Sequence, residues 1–113
     1  MHEIGVLFEI VKTVEKFAAQ NQVETIQTLV LQVGELSSMV PRYLENLYPV
    51  AVEGSILEGS ELNIEILTAN GICRDCNKVF PIVSNKGTCP TCSQKNVELL
   101  SGKEFYIKEI VCC

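Results

Sequence analysis

Residues 73–92 read CRDCNKVFPIVSNKGTCPTC, and their four cysteines, Cys73, Cys76, Cys89 and Cys92, form a C-x2-C-x12-C-x2-C array. Two thiolate pairs on tight turns can close a tetrahedral S4 shell, the geometry that a structural zinc ion favours. The residues after each pair, Asn77-Lys78 and Ser93-Gln94, are small or polar and suit a knuckle turn. In such a turn backbone N–H groups point at the sulfurs and help hold them as thiolates. The competing readings are two disulfides, or one redox CxxC beside an unrelated pair; the doubled spacing favours metal. A closed S4 shell leaves no open coordination position, so this zinc is expected to be structural and the activity of the chain must lie elsewhere.

Ahead of the array, helix and strand patterns alternate. From Ile4 to about Gln20, the residues Ile4, Leu7, Phe8, Val11, Val14 and Ala18 recur at helical spacing while Glu9, Lys12, Thr13 and Lys16 face away. Asn21 is the expected C-terminal cap. The stretch TIQTLVLQV (25–33) is rich in β-branched and aliphatic residues, with Leu29, Leu31 and Val33 on one face of a strand that Gly34 ends. Ser37 or Ser38 is placed to cap a second helix from about Pro41, with Tyr43, Leu44, Leu47, Tyr48, Ala51 and Val52 as its apolar positions. Pro49 should kink that helix or end its regular part, and Gly54 closes it.

ELNIEILT (61–68) alternates cleanly, with Leu62, Ile64 and Ile66 inward, and reads as a half-buried strand. Asn70-Gly71 punctuates the chain before the array. Val79–Val83 reads as a short hairpin strand between the knuckles, and Gly102 marks the exit from them. The final EFYIKEIV (104–111) alternates poorly, as in a strand buried on parts of both faces. The order predicts an α+β fold in which residues 1–70 plus 102–113 form a small three-stranded sheet with two helices, and residues 71–101 form an inserted zinc-ribbon-like domain.

At 113 residues and 47% hydrophobic, the chain fits one compact domain with a small satellite. The net charge of −5 and nine scattered Lys and Arg argue against a nucleic-acid surface. No apolar run approaches the roughly 20 residues that span a bilayer. The start, MHEIGVLFEIVKTVEK, has no basic region of the kind that opens a signal peptide. Free cysteines without an export signal fit a reducing cytoplasm. No Ser/His/Asp set, phosphate loop or second histidine supports a hydrolase or nucleotide-using enzyme, and catalysis is not expected.

The single histidine, His2, stands between Met1 and Glu3 just ahead of the first helix. A lone histidine is ordinarily a solvated or capping side chain. Here it lies beside a free α-amine and helix first-turn N–H groups that have no intrahelical acceptor. An amine, uncommitted backbone nitrogens and an imidazole make a nitrogen-rich set of the kind Ni(II) or Cu(II) prefers.

Met1-His2-Glu3 at the start, Val33-Gly34-Glu35-Leu36-Ser37 after the first strand and the late CxxC-x12-CxxC array together resemble the HypA/HybF family of hydrogenase nickel-incorporation proteins. The resemblance covers essentially the whole chain. It implies an α+β nickel domain with an inserted zinc domain, and a metallochaperone rather than an enzyme. By this likeness His2 is the essential nickel ligand, with Glu3 and the backbone nitrogens of Met1, His2 and Glu3 in the same site. Cys73, Cys76, Cys89 and Cys92 match the structural zinc ligands. Implied partners are the GTPase HypB and the large-subunit precursor of [NiFe]-hydrogenase, with urease a further client of some members; the chain would be a monomer or weak homodimer.

One departure stands out: many relatives are acidic at the position of Val40, where a valine can neither bind metal nor hydrogen-bond through its side chain. Glu35 would be a nearby carboxylate or a solvated turn residue. Cys112 and Cys113 fall outside the family pattern and read as a tail that oxidises readily, or as an extra soft-donor pair. The alternatives to a nickel carrier are a zinc-ribbon module that binds protein or nucleic acid, and a thiol oxidoreductase using one CxxC.

Overall fold

The computed structural model describes residues 3–112. Their order is α1 (Glu3–Gln20), β1 (Ile26–Gly34), α2 (Pro41–Ala51), β2 (Glu61–Leu67), β3 (Asn70–Cys73), β4 (Val79–Pro81), β5 (Val97–Ser101) and β6 (Phe105–Cys112). They form an α+β fold with two three-stranded sheets, ordered β2-β1-β6 and β4-β3-β5. The C-terminal strand completes the first sheet, and the four-cysteine segment is inserted between two of that sheet's strands.

The chain divides into two units: residues 1–32, 39–65 and 106–113, and residues 33–38 with 66–105. The second is wider than the 71–101 segment read from the sequence, because the turn after β1 is bonded into it. Gly34 and Glu35 donate N–H bonds to the carbonyls of Glu104 (2.7 Å) and Leu67 (2.8 Å), and Leu36 donates to Gly102 (2.7 Å). Glu35 Oε1 accepts the Ala69 N–H at 3.0 Å, so this carboxylate pins a turn.

In the first unit, α1 buries Leu7, Ile10, Val14 and Ala18, and α2 buries Leu44, Tyr48 and Ala51. These positions recur every three or four residues, so each helix presents one apolar stripe. Leu29 and Leu31 of β1 are fully buried, and each such leucine contributes about 1.5–3 kcal/mol relative to exposure. Tyr48 keeps its hydroxyl satisfied against Ser60 Oγ at 2.7 Å, and burial raises its pKa. Asn21 caps α1 as expected, with Nδ2 donating to the Phe17 carbonyl at 2.9 Å.

Several expectations need correction. Phe8 of α1 and Tyr43 of α2 stand outside the buried stripes, 47% and 44% exposed. Neither Ser37 nor Ser38 caps α2. Val40 is its N-cap residue, extended at φ −101° and ψ 114°, with no cap from its own side chain. The helix runs through Pro49 to Ala51, and Gly54 lies beyond it in a turn at φ 77°. Ile66 does not point inward but is 51% exposed, near the end of β2 where the alternation breaks. No residue of β6 is fully buried; as an edge strand it is half-covered rather than enclosed. Asn70-Gly71 opens strand β3 instead of a turn. Gly71 is there for room: a Cβ would lie 2.5 Å from Val97 Cγ1 and 2.7 Å from Ile82 Cδ1.

Candidate metal centre

The two CxxC segments fold into matching turns. Cys73 accepts the Asn77 N–H at its carbonyl (2.7 Å), and its own N–H donates to Lys78 O (2.9 Å). Cys89 repeats the pattern with Ser93 N–H (2.9 Å) and Gln94 O (2.8 Å). Asn77 and Ser93 take left-handed φ values of 62° and 65°, reversing the chain directly after the second cysteine of each pair. Asparagine tolerates that region better than most residues, because its short polar side chain bonds locally.

The sheet β4-β3-β5 supports these turns. β3 pairs antiparallel with β4, Gly71 opposite Phe80, and with β5, Cys73 opposite Val97. Cys73, Phe80 and Cys89 form a small buried cluster, with Cys92 and Val97 packed against it. Arg74 Nη1 bonds Asn96 Oδ1 at 3.1 Å, and Arg74 N donates to Asn96 O at 2.8 Å, tying the first turn to the approach of β5.

The four Sγ atoms lie within 4.8 Å of one another. Cys73 and Cys92 sulfurs are 3.4 Å apart, and those of Cys76 and Cys89 3.5 Å. Zn–S bonds of about 2.3 Å at tetrahedral angles require sulfurs about 3.8 Å apart, so the set fits a metal ion such as zinc. Each of these two sulfur pairs takes one cysteine from either turn, so one ion would join the two turns.

The thiols are unequal. Burial pushes the Cys89 thiol up, but the backbone N–H groups of Cys92 and Thr91 and the thiols of Cys76 and Cys92 outweigh it and bring it down to about 7. At Cys92 the backbone hydrogen bond from Gln94 acts downward, yet the facing Cys73 thiol, burial and the thiols of Cys76 and Cys89 push it up to about 12. Four sulfurs this close cannot all be thiolates without a cation among them, so the set is suited to a metal ion, which would hold all four in the charged form.

His2 and Met1 lie outside the described residues, and so does Cys113. Glu3 is described: it is the first residue of α1, only 4% exposed, and its Oε2 accepts the Val40 N–H at 3.1 Å. Cys112 is exposed at the end of β6. Two features of this region were missed in the sequence. One is the Glu3–Val40 bond, which joins positions 37 apart and leaves no local signal. The other is a largely apolar groove of about 580 Å³ lined by Ile4, Tyr43, Asn46, Leu47 and Val50. No helix among the described residues is long and apolar enough to cross a membrane.

Residues 1–112 match the family described as "Hydrogenase/urease nickel incorporation, metallochaperone, hypA". The hydrogenase maturation factor HypA of Geobacter sulfurreducens is 33% identical over 110 residues, covering 97% of both chains. That of Trichodesmium erythraeum is 34% identical over 110 residues, 97% of this chain and 94% of the relative. Among solved structures, that of the Ni metallochaperone HypA from Helicobacter pylori superposes with a TM-score of 0.66 at 28% identity, covering 99% of this chain and 97% of that one. A second HypA solution structure gives a TM-score of 0.71 at 27% identity, covering 100% and 97%. Sequence and fold agree, and the chain belongs to the HypA family of hydrogenase/urease nickel-incorporation metallochaperones.

Proposed function

We propose that this chain captures Ni(II) at its amino terminus and passes it to the large-subunit precursor of [NiFe]-hydrogenase, with a HypB-type GTPase as its working partner. The family description, which names urease beside hydrogenase, supports urease as a further client. The observation that supports the reading is that the described chain is helical from its first residue, Glu3, so that Met1 and His2 precede the described part of α1 in the sequence. The leading N–H groups of a helix have no acceptor in its own ladder, and the positive end of its dipole disfavours protonation of a nearby amine. The α-amine, the backbone nitrogens of Met1, His2 and Glu3, and the His2 imidazole supply the nitrogen-rich donors that Ni(II) prefers.

The four-cysteine centre holds zinc in a structural role. Cys73, Cys76, Cys89 and Cys92 would all be occupied by the ion, so no position is left for substrate or for exchange of nickel. Zinc there supplies a fold-stabilising cross-link and no reaction step. The two metals are thereby kept apart by donor chemistry: soft thiolates for zinc, nitrogens for nickel.

With a single histidine, the chain has no second imidazole to add to an amino-terminal nickel site. That suits a carrier, because a recipient with a better ligand set can draw the metal away. The test is complementation of a cell lacking its own copy. Wild type should restore processed, active [NiFe]-hydrogenase, and His2→Ala should not at ordinary nickel supply. Equal restoration by His2→Ala would remove nickel capture from the amino terminus and favour a zinc-stabilised interaction module.

A further inference from the structure

Val40 opens α2 without a cap of its own. Its side chain is apolar, and the first turn of α2 carries no acidic residue. Pro41 follows it, so the first helical position has no N–H to satisfy. The N–H groups of Tyr43 and Leu44 both reach back to the Val40 carbonyl, at 3.0 and 3.1 Å. The Val40 N–H lies outside that ladder, and Glu3 Oε2 accepts it from the start of the other helix at 3.1 Å.

Glu3 is the one charged side chain in the buried set of described residues, at 4% exposure. Burying a carboxylate is costly unless hydrogen bonds and favourable charge offset the loss of water. Both are supplied here. Glu3 stands in the first turn of α1 and reaches the N-terminus of α2, so two helix dipoles favour its negative charge. In a capping box, a Glu or Gln at the third helical position reaches back to the N-cap N–H. Tyr43 holds that position in α2, and Glu3 performs the same task from a distance.

We propose that the Glu3 carboxylate is a positioning residue for nickel capture and not itself a metal donor. By holding the Val40 N–H it fastens the first turn of α1 to the first turn of α2. The backbone that follows His2 in the chain is thereby fixed. This inference rests on the nickel reading given above. A planar set of amine, backbone and imidazole nitrogens needs its backbone held to within a fraction of an ångström, which a frayed helix start does not provide.

The test replaces the cap from another place. Glu3→Ala removes the carboxylate; adding Val40→Thr and Tyr43→Gln to it writes a local capping box into α2, with no carboxylate introduced. Tyr43 is 44% exposed, so its replacement leaves the buried core intact. Ni(II) affinity, the visible absorption bands of bound Ni(II), and melting temperature are measured on zinc-loaded, untagged proteins. Glu3→Ala should lower the melting temperature by about 5 °C and weaken nickel binding by about tenfold. The triple variant should recover both, with absorption bands like those of wild type.

Recovery of melting temperature without recovery of nickel affinity would make the carboxylate a metal donor and overturn the proposal. Failure to recover the melting temperature, or a Glu3→Ala protein equal to wild type in both measures, would overturn it too. Wild type that takes up no nickel would instead refute the proposed function, and the positioning role with it, while the melting temperatures would still report whether Glu3 caps α2.

Discussion

Asn77 and Ser93 hold the same place in the two halves of the metal centre. Each follows the second cysteine of its pair in a left-handed conformation, φ 62° and 65°, and each donates its N–H to the carbonyl of the first cysteine, at 2.7 and 2.9 Å. The chain reversal that brings two sulfurs together is therefore built into the backbone of each turn, and a metal ion has only to join the two finished turns.

Left-handed backbone costs an ordinary L-residue about 1–2 kcal/mol, and a β-branched one meets the worst crowding. Asn77→Val should weaken zinc retention, read by competition with a chelator, while Asn77→Gly leaves it close to wild type. The same contrast should hold for Ser93→Val against Ser93→Gly. Equal retention in the valine and glycine variants would show that these turns do not preorganise the centre.

Removal of a ligand should act on the second unit and spare the first. Cys73→Ser or Cys92→Ala should abolish tight zinc binding and loosen the sheet β4-β3-β5, because binding of a structural metal is coupled to folding. Amide hydrogen exchange should quicken across 70–101 and stay slow in α1 and β1. Unchanged exchange across 70–101 would contradict a structural role for the metal.

Gly34 meets the backbone of the loop before β6 so closely that a Cβ would lie 2.2 Å from Gly102 O and 2.9 Å from Glu104 N. Both neighbours are main chain and cannot swing away. Gly34→Ala should cost about 1–3 kcal/mol in denaturant unfolding, the range for forced overpacking. Gly54→Ala, with open space around its Cβ, should cost less, limited to the strain of its φ of 77°.

Lys108 Nζ bonds both oxygens of Glu65, at 3.0 and 2.9 Å, and Gln32 Nε2 donates to Oε1 at 3.2 Å. The Lys108 bond first, and the Gln32 bond after it, hold the Glu65 carboxyl below its ordinary value. A depressed folded pKa gives stability that is present above the unfolded carboxylate range, near about pH 4.3. It is lost as pH falls through the lower folded value. The melting-temperature difference between wild type and Glu65→Gln should be small at neutral pH, shrink with added salt, and close as pH falls below 4. A difference that grows in acid would reverse the sign of this argument.

The metal centre was legible in the sequence because ligand spacing is local: Cys73, Cys76, Cys89 and Cys92 declare both turns without reference to the rest of the chain. α1, β1 and β2 were legible through periodicity, which survives wherever one face is buried. The cap of α2 was not, since the serines at 37 and 38 offered a plausible local solution and the actual acceptor, Glu3, lies far back in the chain. β3 was hidden for a different reason. Asn70-Gly71 has the composition of a turn, but Gly71 serves close packing against Val97 and Ile82 within a sheet. β6 misled by its apolar content, because an edge strand half-covers its residues without enclosing them.

Where nickel binds decides what the chain does, and the most direct measurement is a Ni(II) titration of zinc-loaded protein with a native, untagged amino terminus. His2→Ala and a form extended before Met1 are titrated beside it. The predicted result is one equivalent bound by wild type, lost in His2→Ala and lost or sharply weakened in the extended form, which has no free amine at Met1. Equal binding by all three would place nickel at Cys112 and Cys113 or at the four-cysteine centre and contradict capture at the amino terminus.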